Sequence, residues 1–250
     1  DCQLKKKVMQ DIVLMKYVGM HPIVVHGGGP EINRMLERLN INSHFVNGLR
    51  VTDRQTMEIV EMVLGGKVNK EIVAGLNASG GKAIGLSGKD GSLIQARPVD
   101  DKEELGFVGD VQQVNPEVIE TVIENGYIPV IAPIGIDAKH ESYNINADLA
   151  AAAIAVALKA DKLVLLTDVP GLLMDADDSD SLISVLKLSQ IDGYTAEGII
   201  AGGMVPKIDC CKESVLGGVG RTHIIDGRVP HSILLEIFTN EGIGTMVVDE

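Results

Sequence analysis

Five short apolar runs, each bounded by turn residues, constrain this chain most. They are Pro22-Ile23-Val24-Val25, Ala83-Ile84-Gly85-Leu86, Ile128-Pro129-Val130-Ile131, the stretch from Lys162 to Leu166 and that from Thr222 to Ile225. They are continuous rather than alternating, the pattern of strands buried on both faces of a mostly parallel sheet. Helical stretches separate them. Leu4, Val8, Ile12 and Met15 fall on one helical face, and Asp53 to Leu64 opens with a Thr52-x-x-Gln55 capping pattern. Ala150 to Lys159 is rich in alanine and has high helix propensity. This alternation predicts an α/β protein.

Two stretches interrupt it. Ser92 to Asn115 holds two extended pieces, Leu93 to Ala96 and Phe107 to Val114, around an acidic turn, which reads as an antiparallel hairpin or flap on the sheet. Asp175 to Asp180 is a polar, acidic loop expected to be mobile. No internal repeat and no low-complexity linker occurs, and a soft boundary near residue 150 divides the chain into two lobes, 1–149 and 150–250. The chain opens at Asp1 directly into a helix, whereas an α/β unit feeds such a helix from a strand, so a strand is expected ahead of it.

Composition narrows the function. A net charge of −13 disfavours a polyanionic partner such as nucleic acid, yet leaves room for a local cationic site that takes a small anion. Aromatic residues are 3% of the chain with no Trp, so base-stacking platforms are not expected and the core must be aliphatic. No apolar run reaches the ~18 residues of a membrane helix, and no signal peptide is recognisable at the start. With three cysteines and no Cys-x-x-Cys, a reducing, cytoplasmic setting is expected.

Four segments carry chemistry. The run Ile23 to Val25 leads into His26-Gly27-Gly28-Gly29-Pro30 and then the helix Glu31 to Leu39. Glycines let backbone N–H groups approach a ligand, a helix N-terminus adds partial positive charge, and proline suits the first helical position. Together they predict an anion site, although a tight turn without a ligand has the same pattern. The segment matches neither a Walker A loop nor Gly-x-Gly-x-x-Gly. Tyr143-Asn144-Ile145-Asn146-Ala147-Asp148 precedes the alanine-rich helix. Asp148 there is either an N-cap or a site residue, and the flanking asparagines favour a site. Ala201-Gly202-Gly203-Met204-Val205-Pro206-Lys207 again joins glycine to a helix start, with Lys207 a site residue or an ordinary surface lysine. Gly48-Leu49-Arg50-Val51-Thr52 puts one arginine beside a capped helix, suited to a carboxylate ligand or to a surface salt bridge.

Taken together these segments resemble the amino-acid kinase family, and within it the acetylglutamate kinases of the arginine-responsive branch. The match runs through His26 to Asn33, Gly48 to Thr52, Tyr143 to Asp148, Leu165-Leu166-Thr167-Asp168-Val169-Pro170-Gly171 and Gly202 to Lys207. Gly66-Lys67-Val68-Asn69-Lys70 and Leu86 to Gly91 also fit. The resemblance implies a three-layer α/β/α sandwich with a mostly parallel central sheet. It implies phosphorylation of the side-chain carboxylate of N-acetyl-L-glutamate by ATP with Mg2+, a step of arginine biosynthesis. Carried over by position, Gly27, Gly28, Asp148 and Lys207 are catalytic, and Gly28, Gly29, Arg50, Asn144 and Asn146 bind the acid. Thr167, Asp168, Gly171, Gly202, Gly203 and Lys207 bind nucleotide, and no protein metal site is implied. Residues 1–149 are then the acetylglutamate-binding and dimerisation lobe, and 150–250 the nucleotide lobe.

In the arginine-responsive branch the end product binds near the C-terminus, which implies Glu236 and Gly242 as arginine-binding residues; an exposed helix carboxylate is the plainer reading of Glu236. A homodimer is expected, the hexamer of that branch depending on an N-terminal helix not seen in this sequence. Family members also begin with a strand ending in Lys-x-Gly-Gly, which supplies a second phosphate-neutralising lysine. The sequence starts in the helix after it, and Lys5, Lys6 and Lys7 do not replace it. Low or no activity is therefore expected of these 250 residues alone. Two other readings stay open: another amino-acid kinase acting on glutamate, aspartate or carbamate, and a non-catalytic sensor of arginine or nucleotide.

Overall fold

The computed structural model describes residues 2–46, 48–99, 102–239 and 242–250. The chain divides into two compact units, Val13–Ala153 and a second formed by Asp1–Ile12 with Ile154–Glu250.

In the Val13–Ala153 unit a parallel sheet has Ile128–Ala132 at its centre, flanked by Val24–Val25 and Ala83–Ser87. Every residue of the central strand is buried, as its continuous apolar run predicts. The first strand keeps only two residues, because the chain turns at His26, whose N–H donates to the Ile131 carbonyl at 3.2 Å. Ile32 and Leu36 of the helix Gly29–Arg38 pack with Met57, Val60, Val63, Leu64 and Ile134 into an aliphatic core.

The helix after Arg50 differs from expectation in two ways. Its N-cap is Asp53, not Thr52: Asp53 Oδ1 accepts from the Thr56 N–H at 2.7 Å, while the buried Thr52 hydroxyl turns back to the Arg50 carbonyl. Further on, Arg54–Glu61 runs into a π-helical segment, Met62–Val68, and then Asn69–Ala78. Wide turns of this kind shift the phase of the side chains beyond them.

The expected hairpin is present but is not a flap. Ile94–Pro98 and Val108–Val114 pair antiparallel with a bulge between Gln95 and Ala96. Ile134–Ile136 then joins the first strand and Ser142–Ile145 the second, closing a four-stranded barrel. An isolated two-stranded ribbon is marginal in water, and closure removes its edges. Gly135 permits the tight interior, since a Cβ there would lie 2.6 Å from Ile145 Cδ1 and 2.7 Å from Ala96 Cβ.

The second unit holds a four-stranded sheet in the order Lys162–Thr167, Arg221–Asp226, Thr245–Val248, Val185–Lys187. Its ladders are parallel except that between Arg221–Asp226 and Thr245–Val248. The helices Leu188–Ala196, Val205–Leu216 and Ser232–Phe238 belong to it. So does the start of the helix Cys2–Tyr17, unlike the expected 1–149 lobe. Asp11, 1% exposed, explains part of this: its Oδ1 accepts from His231 Nδ1 at 2.6 Å. Within the acidic loop Asp175 Oδ1 accepts from the Asp177 N–H at 3.0 Å and Asp178 Oδ1 from the Asp180 N–H at 2.9 Å. Among the described residues no helix is long and apolar enough to cross a membrane.

Candidate functional site

A cleft of ≈ 190 Å³ opens in the Val13–Ala153 unit where the first strand turns into the helix Gly29–Arg38. Gly27, Gly28, Gly29, Arg50, Asn144 and Asn146 line it with backbone and side-chain polar groups. Leu64, Phe45, Val108 and Pro133 are among its apolar walls. It is smaller than the ~300–1,000 Å³ of drug-sized sites, which suits a small metabolite.

The three glycines differ in what requires them. A Cβ on Gly28 would lie 2.5 Å from Leu64 Cδ2, so packing alone demands glycine there. At Gly27 the nearest atom to such a Cβ is Ala147 Cβ at 3.8 Å, and at Gly29 it is Arg50 Nη2 at 4.0 Å. The fold would admit a side chain at both. Among the described residues, none accepts a hydrogen bond from the N–H of Gly28 or Gly29. Both belong to the turn that leads into a helix, where such donors are left over and dipole charge is positive.

Arg50 is 7% exposed. One guanidinium nitrogen donates to Ser43 Oγ, another to the Gly29 carbonyl at 3.3 Å, and the group lies 4.7 Å from the Phe45 ring centroid. Burial pulls it below the ordinary guanidinium value. No carboxylate pairs with it among the described residues, although buried charges are normally paired. The surface salt bridge considered from sequence is therefore absent. Asn144 Nδ2 donates to Thr52 Oγ1 at 3.3 Å, which links Asn144 to the strand carrying Arg50.

Asn146, not Asp148, caps the helix Ala147–Ala157: its Oδ1 accepts from the N–H groups of Asp148 at 2.9 Å and Leu149 at 3.2 Å. Asp148 sits two residues further on, half-buried, and the cap does not require its carboxylate.

In the second unit Lys207 lies in the first turn of Val205–Leu216, after a short 3-10 turn at Gly202–Met204. Gly202 has φ +54°, and a Cβ on Gly202 or Gly203 would meet nothing within 4 Å. Thr167 ends its strand beside the exposed Asp168. Gly171 has a packing reason of its own, since a Cβ would lie 2.6 Å from Thr245 Oγ1. Glu236 and Gly242 are adjacent, but Glu236 is buried rather than exposed. Its oxygens accept from His223 Nδ1 at 2.6 Å and from the N–H groups of Ile243 at 2.7 Å and Gly244 at 3.1 Å.

The family model for the amino acid kinase family matches residues 2–226. The chain belongs to the amino acid kinase family. The acetylglutamate kinase of Syntrophomonas wolfei subsp. wolfei is 78% identical over 250 residues, covering 100% of this chain and 87% of that relative. Among solved structures, smu.665 from Streptococcus mutans UA159 is 32% identical with a TM-score of 0.81, covering 97% of this chain and 91% of that one. The N-acetylglutamate synthase of Neisseria gonorrhoeae, complexed with coenzyme A and N-acetyl-glutamate, is 26% identical with a TM-score of 0.86. It covers 99% of this chain, which spans 56% of the synthase chain. The three-layer α/β sandwich of amino acid kinases is thus the fold of this chain.

Sequence reasoning missed one part of this amino acid kinase's cleft, the layer behind the glycine turn. His26 is buried, with Nδ1 2.9 Å from the Gly27 carbonyl and Nε2 3.2 Å from Asn69 Nδ2. Asn69 is 1% exposed and directly follows the π-helical segment. A usable signal was Gly85 inside a strand, where glycine marks close approach. A Cβ there would collide with Asn69 Oδ1 and lie 2.6 Å from Lys70 Nζ.

Proposed function

We propose that this chain transfers the γ-phosphoryl group of ATP to the side-chain carboxylate of N-acetyl-L-glutamate, a step of arginine biosynthesis. The observation that carries it is Arg50, a buried guanidinium without a protein carboxylate on a small cleft that also presents leftover N–H donors. The 78% identical acetylglutamate kinase supports the choice of acid. A carboxylate oxygen attacks phosphorus, the bridging P–O bond breaks, and ADP leaves with the electron pair. The nucleophile is already ionised, so no base is needed. The difficulty is to bring two anions together, and fixed dipoles and cations relieve it.

Arg50 holds the α-carboxylate, Asn144 and Asn146 orient the acetylated backbone, and Gly27, Gly28 and Gly29 direct N–H groups toward the reacting oxygens. Lys207 neutralises phosphate charge, Asp148 orders the cationic groups, and Thr167, Asp168, Gly171, Gly202 and Gly203 border the nucleotide. Among the described residues no three His, Cys, Asp or Glu side chains form a metal-holding group. In this reading Mg2+ comes with the nucleotide phosphates, where it shields their charge. Arginine is the inhibitor in this reading. A carboxylate offers about four acceptor sites; three of those on Glu236 are taken, which leaves one for a guanidinium donor.

Phosphoryl transfer by the intact protein to acetylglutamate, glutamate, aspartate and carbamate tests the reading. Acetylglutamate should be the preferred acceptor. Preference for any other acid, or calorimetric binding of ATP and arginine with no turnover of any acid, would reject it.

A further inference from the structure

Behind the glycine turn lies a polar relay in which each group fixes the next. Asn69 Nδ2 points at the carbonyls of Val130 at 2.9 Å and Leu86 at 3.3 Å, and Asn69 Oδ1 faces Lys70 Nζ at 3.1 Å. Carbonyls only accept and an ammonium only donates, so the orientation of this amide is determined from both ends. Of its two protons, one serves Val130; His26 Nε2, at 3.2 Å nearer than the Leu86 carbonyl, faces the other and accepts it, and Nδ1, which faces the Gly27 carbonyl, carries the ring proton. Nδ1–H donates to the Gly27 carbonyl at 2.9 Å. The described chain has no cis peptide bonds. In a trans peptide the carbonyl and the next N–H point in opposite directions. His26 does not line the cleft, whereas Gly27 and Gly28 do. Drawing the Gly27 carbonyl back onto the imidazole turns the Gly28 N–H the other way.

We propose that His26 and Asn69 are positioning residues that aim the Gly28 N–H into the cleft. This rests on reading the cleft as the acid's site, and it adds a residue pair that acts on the reaction without touching the substrate.

Nitrogen NMR of the intact, 15N-labelled protein tests the relay without turnover. His26 should be neutral at neutral pH with the proton on Nδ1; an Nε2-protonated ring or an imidazolium overturns the proposal. Kinetics test its consequence. Asn69→Asp replaces the donor facing Nε2 with an acceptor and so draws the proton to Nε2. Losing an oxyanion donor outright costs ~10²–10³ in rate, so a misdirected one should lower kcat for acetylglutamate by about 10- to 100-fold. The KM for ATP should not change. His26→Asn keeps an N–H donor near the place of Nδ1 and should retain most of kcat, while His26→Ala should lose as much as Asn69→Asp. Wild-type kcat in Asn69→Asp, or equal losses in His26→Asn and His26→Ala, overturns the proposal. Should the variants not fold, the tautomer of the unmutated protein decides. If that protein does not phosphorylate acetylglutamate, the functional reading fails while the tautomer still decides the relay.

Discussion

Gly28→Ala isolates what the middle glycine of the turn does. The new methyl would lie 2.5 Å from Leu64 Cδ2 and 3.4 Å from Val68 Cγ2. Relaxed carbon contacts are ~3.5–4.0 Å. Leu64 is 2% exposed and packed among Ile32, Val60, Val63 and Ile134, so its open direction is the cleft it lines. Overpacking of this kind costs ~1–3 kcal/mol, and at ~2–4 °C per kcal/mol for a chain of this size the melting temperature should fall by about 2–12 °C. Backbone strain adds nothing, since the Gly28 φ of 175° is not left-handed. Gly27→Ala is the control, because its methyl meets only Ala147 Cβ, at 3.8 Å. Thermal and urea melts of both variants, with and without Leu64→Val, complete a double-mutant cycle. Gly28→Ala and Leu64→Val should couple favourably by ~0.5–3 kcal/mol. A Gly28→Ala protein as stable as Gly27→Ala, or additive effects with Leu64→Val, would refute the packing argument.

Arg50→Ala should raise KM for acetylglutamate with kcat largely kept, and Arg50→Lys should not restore it because an ammonium cannot reproduce the fork; steady-state kinetics with an unchanged KM would reject the assignment. Lys207→Ala should chiefly lower kcat, and an unaltered kcat would remove Lys207 from the reaction. Asn146→Ala removes the cap from the N–H groups of Asp148 and Leu149 and should cost ~0.5–2 kcal/mol in a urea melt; an unchanged urea midpoint would reject the cap. Acid should destabilise the fold in two stages. Burial, above all, holds His26 below its ordinary value of 6.5; Lys70 adds to this and the Gly27 carbonyl opposes it. Burial would raise Glu236, but the His223 hydrogen bond and the Ile243 and Gly244 N–H groups outweigh it and hold it below 4.5. Both groups bind fewer protons folded than unfolded, so their stabilisation is full above those ordinary values and is lost as pH falls through the folded ones. Urea midpoints measured from neutral pH downward should fall accordingly, and His26→Asn should flatten the upper stage alone.

The fold class was legible because the signals for it are local. Continuous apolar runs mark doubly buried strands whatever surrounds them, and Ile128–Ala132 is buried throughout. What escaped depends on contacts distant in sequence. The pieces flanking the acidic stretch of sequence near residue 101 pair as expected, but nothing in them announces the two strands at 134–136 and 142–145 that close the barrel. Thr52 and Asp53 are both good caps, and Thr52 loses the role because its hydroxyl is drawn to the Arg50 carbonyl. Asn146 and Asp148 pose the same choice, and there too the earlier residue's side chain decides it. Asp11 lies among apolar helix positions, and the partner of its buried carboxylate, His231, is 220 residues away.

The glycine turn shows why a site can be legible while its mechanism is not. Three consecutive glycines read as one signal, yet the fold treats them separately. Gly28 is pressed from one side by Leu64, and the Gly27 carbonyl is held from behind by His26. Gly29 leaves space toward Arg50 and starts the helix. Leu64 and Asn69 both lie on the helical stretch that contains the wide π turn, so a single irregularity in one helix serves both contacts. A donor held in this way has little reorganisation left when charge develops on a substrate oxygen, which is the condition for electrostatic stabilisation in a transition state. His26 and Asn69, which impose it from behind, do not line the cleft. Both are buried behind the turn, and their part in it depends on contacts distant in sequence, which is why a search for chemistry in the sequence passes over them.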